Sequence, residues 1–222
     1  MSKRSVMGVV CEGQTDVPIL RAVLQELWPG IEVRVLQPEL DQLGKSIPNQ
    51  PSGWTAVREW CEQNPDLNDI TNPLVGDRID LLLIALDVDI ALGAGLGPRQ
   101  TPARAYDTSA LCRVVKGWLQ APVPRGLVVI AIPAMAIEAW VIAAVFPREQ
   151  RPESIRDPAQ YLVDRRKLRS SPRDQKPWKE LWKYNEFATQ VARKLARVRS
   201  RCTEANRVCN TIEERRRAFE NA

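Results

Sequence analysis

Ile79-Asp80-Leu81-Leu82-Leu83-Ile84-Ala85-Leu86, followed by Asp87-Val88-Asp89, is the stretch that decides the fold. An apolar run of this length without polar alternation is what a strand covered on both faces looks like, and such strands belong to parallel sheets. The segments on either side agree. Ser5–Cys11 (SVMGVVC) is a second short apolar run, closed by Glu12-Gly13. Thr15 or Asp16 can cap the helix behind it, and Pro18 falls in a first turn, where proline is tolerated. Val17, Leu20, Leu24 and Leu27 then recur at helical spacing up to the Pro29-Gly30 stop. Ile31–Leu36 alternates as a strand, and Trp54, Val57, Trp60 and Cys61 share one face of a further helix. Downstream come a glycine-rich loop (Ala91–Thr101), a helix near Asp107–Leu119 and a strand at Leu127–Ile132. This β-α rhythm predicts an α/β fold with a largely parallel, helix-covered sheet.

The chain has 222 residues and no histidine. Ser-His-Asp and Cys-His catalysis are excluded, as are imidazole-ligated zinc and histidine-base nucleases. Acid–base chemistry must come from carboxylates, lysine, tyrosine, or water on a metal. The five cysteines form no CxxC, and no signal peptide follows Met1-Ser-Lys-Arg, so reduced thiols in a cytosol are expected. Leu127–Phe146 imitates a membrane span, but Pro133 interrupts it and Glu138 would sit near mid-bilayer at a cost of about 2.5–3.5 kcal/mol. A buried strand followed by a buried helix fits better, with no membrane partner.

From Pro147 onward the pattern changes. Residues 1–147 carry 12 lysines and arginines against 16 acids, a net −4, whereas 148–222 carry 20 against 11, a net +9. The rear is either a helical C-terminal extension of one domain or a small helical subdomain (148–222) behind an α/β domain (1–147). One long helix is expected from about Pro177 to beyond Arg199. Trp178, Leu181, Trp182, Phe187, Val191, Leu195 and Val198 fit one face of it and read as core. Arg193, Arg197 and Arg201, with Lys194 and Arg199, then lie outward and could meet nucleic-acid phosphates. The Lys176–Tyr184 stretch also interleaves cations with aromatics, as single-strand-binding surfaces do. Gly93–Gly97 lacks the GxGxxG spacing and reads as a loop.

The acids recur at comparable places. Glu12 follows the first strand, Asp87 and Asp89 close the central one, and Glu138 comes shortly after Leu127–Ile132. In open α/β sheets ligands bind beyond the carboxyl ends of the strands, so these acids could converge. Carboxylates crowded together raise one another's pKa unless a cation neutralises them, and Mg²⁺ or Mn²⁺ is the natural occupant. Each acid alone has a plainer role: Glu12 or Asp16 as a helix cap, Asp-x-Asp as turn chemistry, Glu138 at a helix N-terminus.

Val10-Cys11-Glu12-Gly13-Gln14-Thr15-Asp16, Asp87-Val88-Asp89 and Ile132-Pro133 with Ile137-Glu138-Ala139-Trp140 together resemble the signatures of the Toprim domain. The similarity is to a group of small bacterial Toprim-like proteins related to the overcoming-lysogenization-defect nucleases. It spans about residues 5–145, with a weaker echo at Asp157-Pro158 and Tyr161-Leu162. It implies a Toprim-like fold and a metal-dependent nuclease of DNA or RNA, the effector of an antiphage system with a partner ATPase. Glu12 would act in acid–base catalysis or bind metal, with Asp16, Asp87, Asp89 and Glu138 around the Mg²⁺ or Mn²⁺. The family also places a lysine or arginine near the scissile phosphate. Lys176, Lys179 and Lys183 are the nearest candidates, and Lys183 is assigned the catalytic role. A topoisomerase would need domains for which this length leaves no room, and a primase usually pairs the fold with a zinc module, which this sequence lacks. An RNA-processing Toprim ribonuclease and a non-catalytic binding or assembly module stay open as alternatives.

Overall fold

Parallel strands need long crossovers, and this chain supplies helices for them. The computed structural model describes residues 5–42, 45, 47, 51–65, 67–71, 78–88, 108–120 and 126–221. Asp89 and the glycine-rich Ala91–Thr101 stretch lie outside the described residues. Strands β1 (Val6–Val10), β2 (Glu32–Gln37), β3 (Leu81–Ala85) and β4 (Val128–Ala131) pair in the order β2-β1-β3-β4, all parallel. Helices α1 (Asp16–Leu27), α2 (Trp54–Gln63), α3 (Asn68–Thr71), α4 (Thr108–Trp118) and α5 (Glu138–Val145) belong to this α/β part. The architecture is compatible with a Rossmann-like fold.

Alternation along the strands sorts their side chains between two helical layers. Met7, Val9, Leu81, Leu83, Val129 and Ala131 are buried with α1 and α5 on one face. Val10, Leu82, Ile84 and Ile130 are buried with Val57 and Cys61 of α2 and Leu111, Val115 and Trp118 of α4 on the other. Each such large side chain, fully buried, contributes about 1.5–3 kcal/mol. Gly8 keeps β1 close to its neighbours, since a Cβ there would stand 2.8 Å from Leu36 Cδ1.

The Leu127–Phe146 segment is β4 followed by α5, and all of α5 except Val145 is buried. A helix apolar all round is one enclosed on every side. No helix among the described residues is long and apolar enough to cross a membrane.

The rear departs from the single long helix that the sequence suggests. After α6 (Pro158–Asp164), two-residue strands β5 (Arg169–Ser170) and β6 (Pro177–Trp178) pair antiparallel, followed by α7 (Leu181–Arg193), α8 (Leu195–Arg201) and α9 (Thr203–Glu220). Pro177 and Trp178 are extended, so helix begins only at Leu181. The break before α9 falls at Cys202, an extended residue buried with its Sγ 3.9 Å from Ala139 O. Tertiary packing sets this break; no glycine or proline marks it. Tyr184, Phe187, Val191, Leu195, Val198, Val208 and Ile212 join the same core as α1, α5 and the sheet, so 148–222 completes the helical layer on that face. Trp178 and Trp182, read as core from their spacing, are instead 46% and 52% exposed.

Among the described residues β4 is an edge strand, and its outward polar groups are met by α9. Ile132 N donates to Glu204 Oε1 (3.0 Å), and Arg207 donates to Ile130 O (2.5 Å) while pairing with Glu204. The N-terminus of α9 is capped in turn by Glu153, which accepts from Thr203 N at 2.8 Å and Glu204 N at 3.2 Å.

Candidate functional site

In a parallel sheet all strands end on the same edge, so residues that follow different strands become neighbours. Glu12 stands two residues past β1 and Asp87 two past β3, while Glu138 opens α5 beyond β4. Hydrogen bonds stitch them together. Asp87 N donates to Glu12 Oε1 (2.6 Å), and Ile137 N donates to Asp87 Oδ1 (3.1 Å), continuing the sheet's lateral order past the strand ends. The loop that aims Ile137 contains Met135 at φ +64°, a left-handed backbone that non-glycine residues adopt at a cost. Asp16 reaches back from the first turn of α1 to accept from Gly13 N at 3.0 Å.

Glu12 and Asp16 are 6% and 8% exposed, and Glu138 is 0% exposed. Glu138 Oε1 accepts from the Tyr184 hydroxyl and pairs with Lys179 Nζ at 2.8 Å, while the buried Oε2 has no hydrogen-bond partner. The Lys179 side chain is 42% exposed, while its Nζ pairs with the buried Glu138. A cavity of about 330 Å³ opens here, lined by Asp87, Ala136, Glu138, Lys179 and the turn Arg156-Asp157-Pro158-Ala159. Asp157 caps α6 by accepting from Gln160 N at 2.8 Å, which holds Arg156 at the pocket wall.

The electrostatics follow from burial and crowding. Burial, then the charges of Asp16, Glu12 and Glu138, hold the Asp87 carboxyl well above the usual carboxylate range, with Lys179 opposing. Burial pushes Glu138 up too, but the Lys179 ammonium and the Tyr184 hydroxyl outweigh it and bring Glu138 below its ordinary value. For Lys179, burial pulls down, but Glu138, then Asp16 and Asp87, hold the ammonium above its usual range. The Tyr184 hydroxyl is pushed far up, by burial first and Glu138 second.

The structure thus brings together Glu12, Asp16, Asp87 and Glu138; Asp89 lies outside the described residues. Lys179, not Lys183, is the lysine at the acids: Lys183 pairs with Glu186 at 2.6 Å on α7. Two of the three arginines proposed for nucleic acid are engaged internally. Arg197 donates to Ala144 O (3.2 Å), and Arg201 donates to Phe146 O (3.2 Å) and Pro147 O (2.7 Å), at the C-terminus of α5. Arg193 is exposed on a shallow groove between α1 and α7. Sequence reasoning missed Arg156 and Tyr184; the Asp157-Pro158 pair, an N-cap followed by proline at the first helical position, is the local signal that marks the turn carrying Arg156.

The donors suit a hard divalent cation in chemistry, all being carboxylate oxygens, with Glu138 Oε2 buried and unbonded. Among the described residues, however, no three cysteine, aspartate or glutamate side chains already form a group that could hold a metal ion. No protein-family model, curated protein or solved structure matches this chain.

Proposed function

We propose that the chain is a Toprim-type, Mg²⁺- or Mn²⁺-dependent nuclease that hydrolyses phosphodiesters at the carboxyl edge of its sheet. One observation carries this reading: four acids from three separate segments meet at that edge, beside a pocket that also presents Lys179 and Arg156. Glu12, Asp87 and Glu138, with Asp16 behind them, would hold the cation, which when bound supplies charge neutralisation and a water acidic enough to attack near neutral pH. Arg156 presents a planar guanidinium suited to the two oxygens of a phosphate. Lys179 is placed to stabilise charge developing on the phosphoryl oxygens. Glu12, which the resemblance assigns to acid–base catalysis, would take up the proton of the attacking water. Histidine has no part in this chemistry. The resemblance further suggests an antiphage effector acting with a partner ATPase.

The test is cleavage of labelled DNA and RNA, single- and double-stranded, with Mg²⁺ or Mn²⁺. Glu12→Gln keeps an oxygen for Asp87 N and should preserve the fold while lowering the rate by about 10²–10⁴-fold. Undiminished cleavage in this variant overturns the assignment.

The second reading is a non-catalytic binding module. It draws on the hydrogen bonds that already engage Glu12, Asp16, Asp87 and Glu138, and on the lack of a ready ligand group among the described residues. Absence of cleavage by the wild type on every substrate, with nucleic-acid binding retained, selects it.

A further inference from the structure

Trp178 and Trp182 are out of place for tryptophan. Among the described residues only Ile47 joins them as a large apolar side chain in solvent. The buried stripe of α7 is Tyr184, Phe187, Ala188 and Val191, the i, i+3, i+4, i+7 pattern of a core face; Trp182 lies off it, and Trp178 precedes the helix in β6. Between them in sequence stands Lys179, whose ammonium sits in the acid pocket. Lys183 Nζ lies 5.3 Å from the Trp182 ring centroid, a cation against an aromatic face. The surrounding stretch, residues 165–183, holds eight lysines and arginines against two acids, a net +6.

Exposed tryptophans in so dense a positive field fit a polyanion that also carries flat rings. Protein interfaces enrich tryptophan and arginine but are depleted in lysine, which supplies half of these cations, so a protein partner fits less well. Duplex nucleic acid offers phosphates but keeps its base faces stacked inside. Resting on the nuclease reading above, we propose that Trp178 and Trp182 are a stacking platform for unpaired bases. The substrate is then a single-stranded segment whose backbone passes Lys179 on its way into the Asp87–Glu138 pocket. Stacking on aromatic side chains tolerates any base, so little sequence preference is expected.

The experiment is fluorescence anisotropy with a labelled oligo-dT and a duplex of equal length, at low salt in EDTA so that nothing is cleaved. Trp178→Ala/Trp182→Ala should weaken single-strand binding by about tenfold or more, change duplex binding little, and leave the melting temperature in place because both rings are exposed. Trp178→Phe/Trp182→Phe, which keeps aromatic faces, should recover most of the affinity. Unchanged single-strand binding in the alanine variant, or equal loss for both nucleic acids, overturns the platform. Loss of binding to 3:1 phosphatidylcholine:phosphatidylserine vesicles with oligonucleotide binding intact also overturns it and makes the surface a membrane face. Cleavage is scored separately with divalent cation. A wild type that cuts nothing while the alanine variant loses single-strand binding refutes the nuclease reading and keeps the platform; wild-type cleavage with unaltered binding in the variant refutes the platform alone.

Discussion

The acids at the carboxyl edge of the sheet and the arginines of α8 and α9 are both dense charge clusters, but the fold uses them in opposite ways. Most of the arginines of α8 and α9 are matched internally. Arg197 and Arg201 bind carbonyls at the end of α5, Arg216 binds Leu27 O (3.0 Å) at the end of α1, and Arg199 pairs with Glu213 at 2.6 Å. Helix C-termini leave carbonyls unpaired and carry partial negative charge, so each is a natural seat for a guanidinium. At the acidic edge, Lys179 pairs with Glu138, and burial together with the charges of Asp16, Glu12 and Glu138 raises the pKa of Asp87. Net charge in a sequence is therefore a poor guide to charge available for a ligand. The helical part of the +9 rear spends these arginines on the fold, while the −4 front gathers its acids at one place.

The sharpest way to break this contrast is to remove one cation from each cluster. Arg207→Met strands Glu204, 4% exposed, and Lys179→Met strands Glu138, 0% exposed. Each should cost about 3 kcal/mol, the low end for a broken buried pair because both cations also reach solvent. Millimolar Mg²⁺ should then restore much of the melting temperature of Lys179→Met by binding the native state, and none of that of Arg207→Met. Equal responses in a thermal melt would erase the distinction between a ligand site and a structural pair.

A smaller effect sharpens the role of the rear. Arg197→Ala and Arg201→Ala should each lose about 1 kcal/mol, or roughly 2–4 °C in melting temperature, by freeing carbonyls at the end of α5. The slope of log affinity for oligo-dT against log salt should stay as in the wild type. Arg173→Ala and Lys176→Ala, in the hairpin, should instead each flatten that slope by about one without affecting the melt. A flatter slope from Arg197 or Arg201 would return those residues to the nucleic-acid surface.

The smallest effect has a defined sign in pH. Asp87 has a raised folded pKa, so ionising it costs stability above its unfolded value of 3.8, and the cost is relieved as pH falls through the folded value. Asp87→Asn keeps an acceptor for Ile137 N. Without divalent cation it should raise stability at pH 7. That gain should shrink toward zero near pH 4. Glu138, lowered by Lys179, behaves oppositely: its contribution is present above its unfolded value of 4.5 and is lost in acid. A gain from Asp87→Asn that persists unchanged at pH 4 would mean that packing, not charge, is the cause.

The sheet and its acidic edge were legible because both are coded locally. An unbroken apolar run marks β3, and parallel topology carries every strand's following residue to the same side, so Glu12, Asp87 and Glu138 could be gathered without contact information. The lysine could not be chosen in that way. A helix starting at Pro177 would put Lys179 and Lys183 one turn apart on one face; the real start at Leu181 leaves Lys179 in the extended connection, free to turn inward, and Lys183 out on α7. Arg197 and Arg201 do share a face of α8, as their spacing requires. What that face meets, the last carbonyls of α5, is set by packing between segments more than fifty residues apart.

The pair on the outer margin of β4 has a consequence for assembly. A bare edge strand is a template that another chain can extend, in swapped dimers or in fibres. Glu204 and Arg207 occupy the outward N–H of Ile132 and C=O of Ile130, so they stand where the next strand's backbone would bind. An incoming strand must first pull apart a largely buried charge pair and strand its acid. Glu204 and Arg207 thereby oppose sheet growth across β4 in the native state.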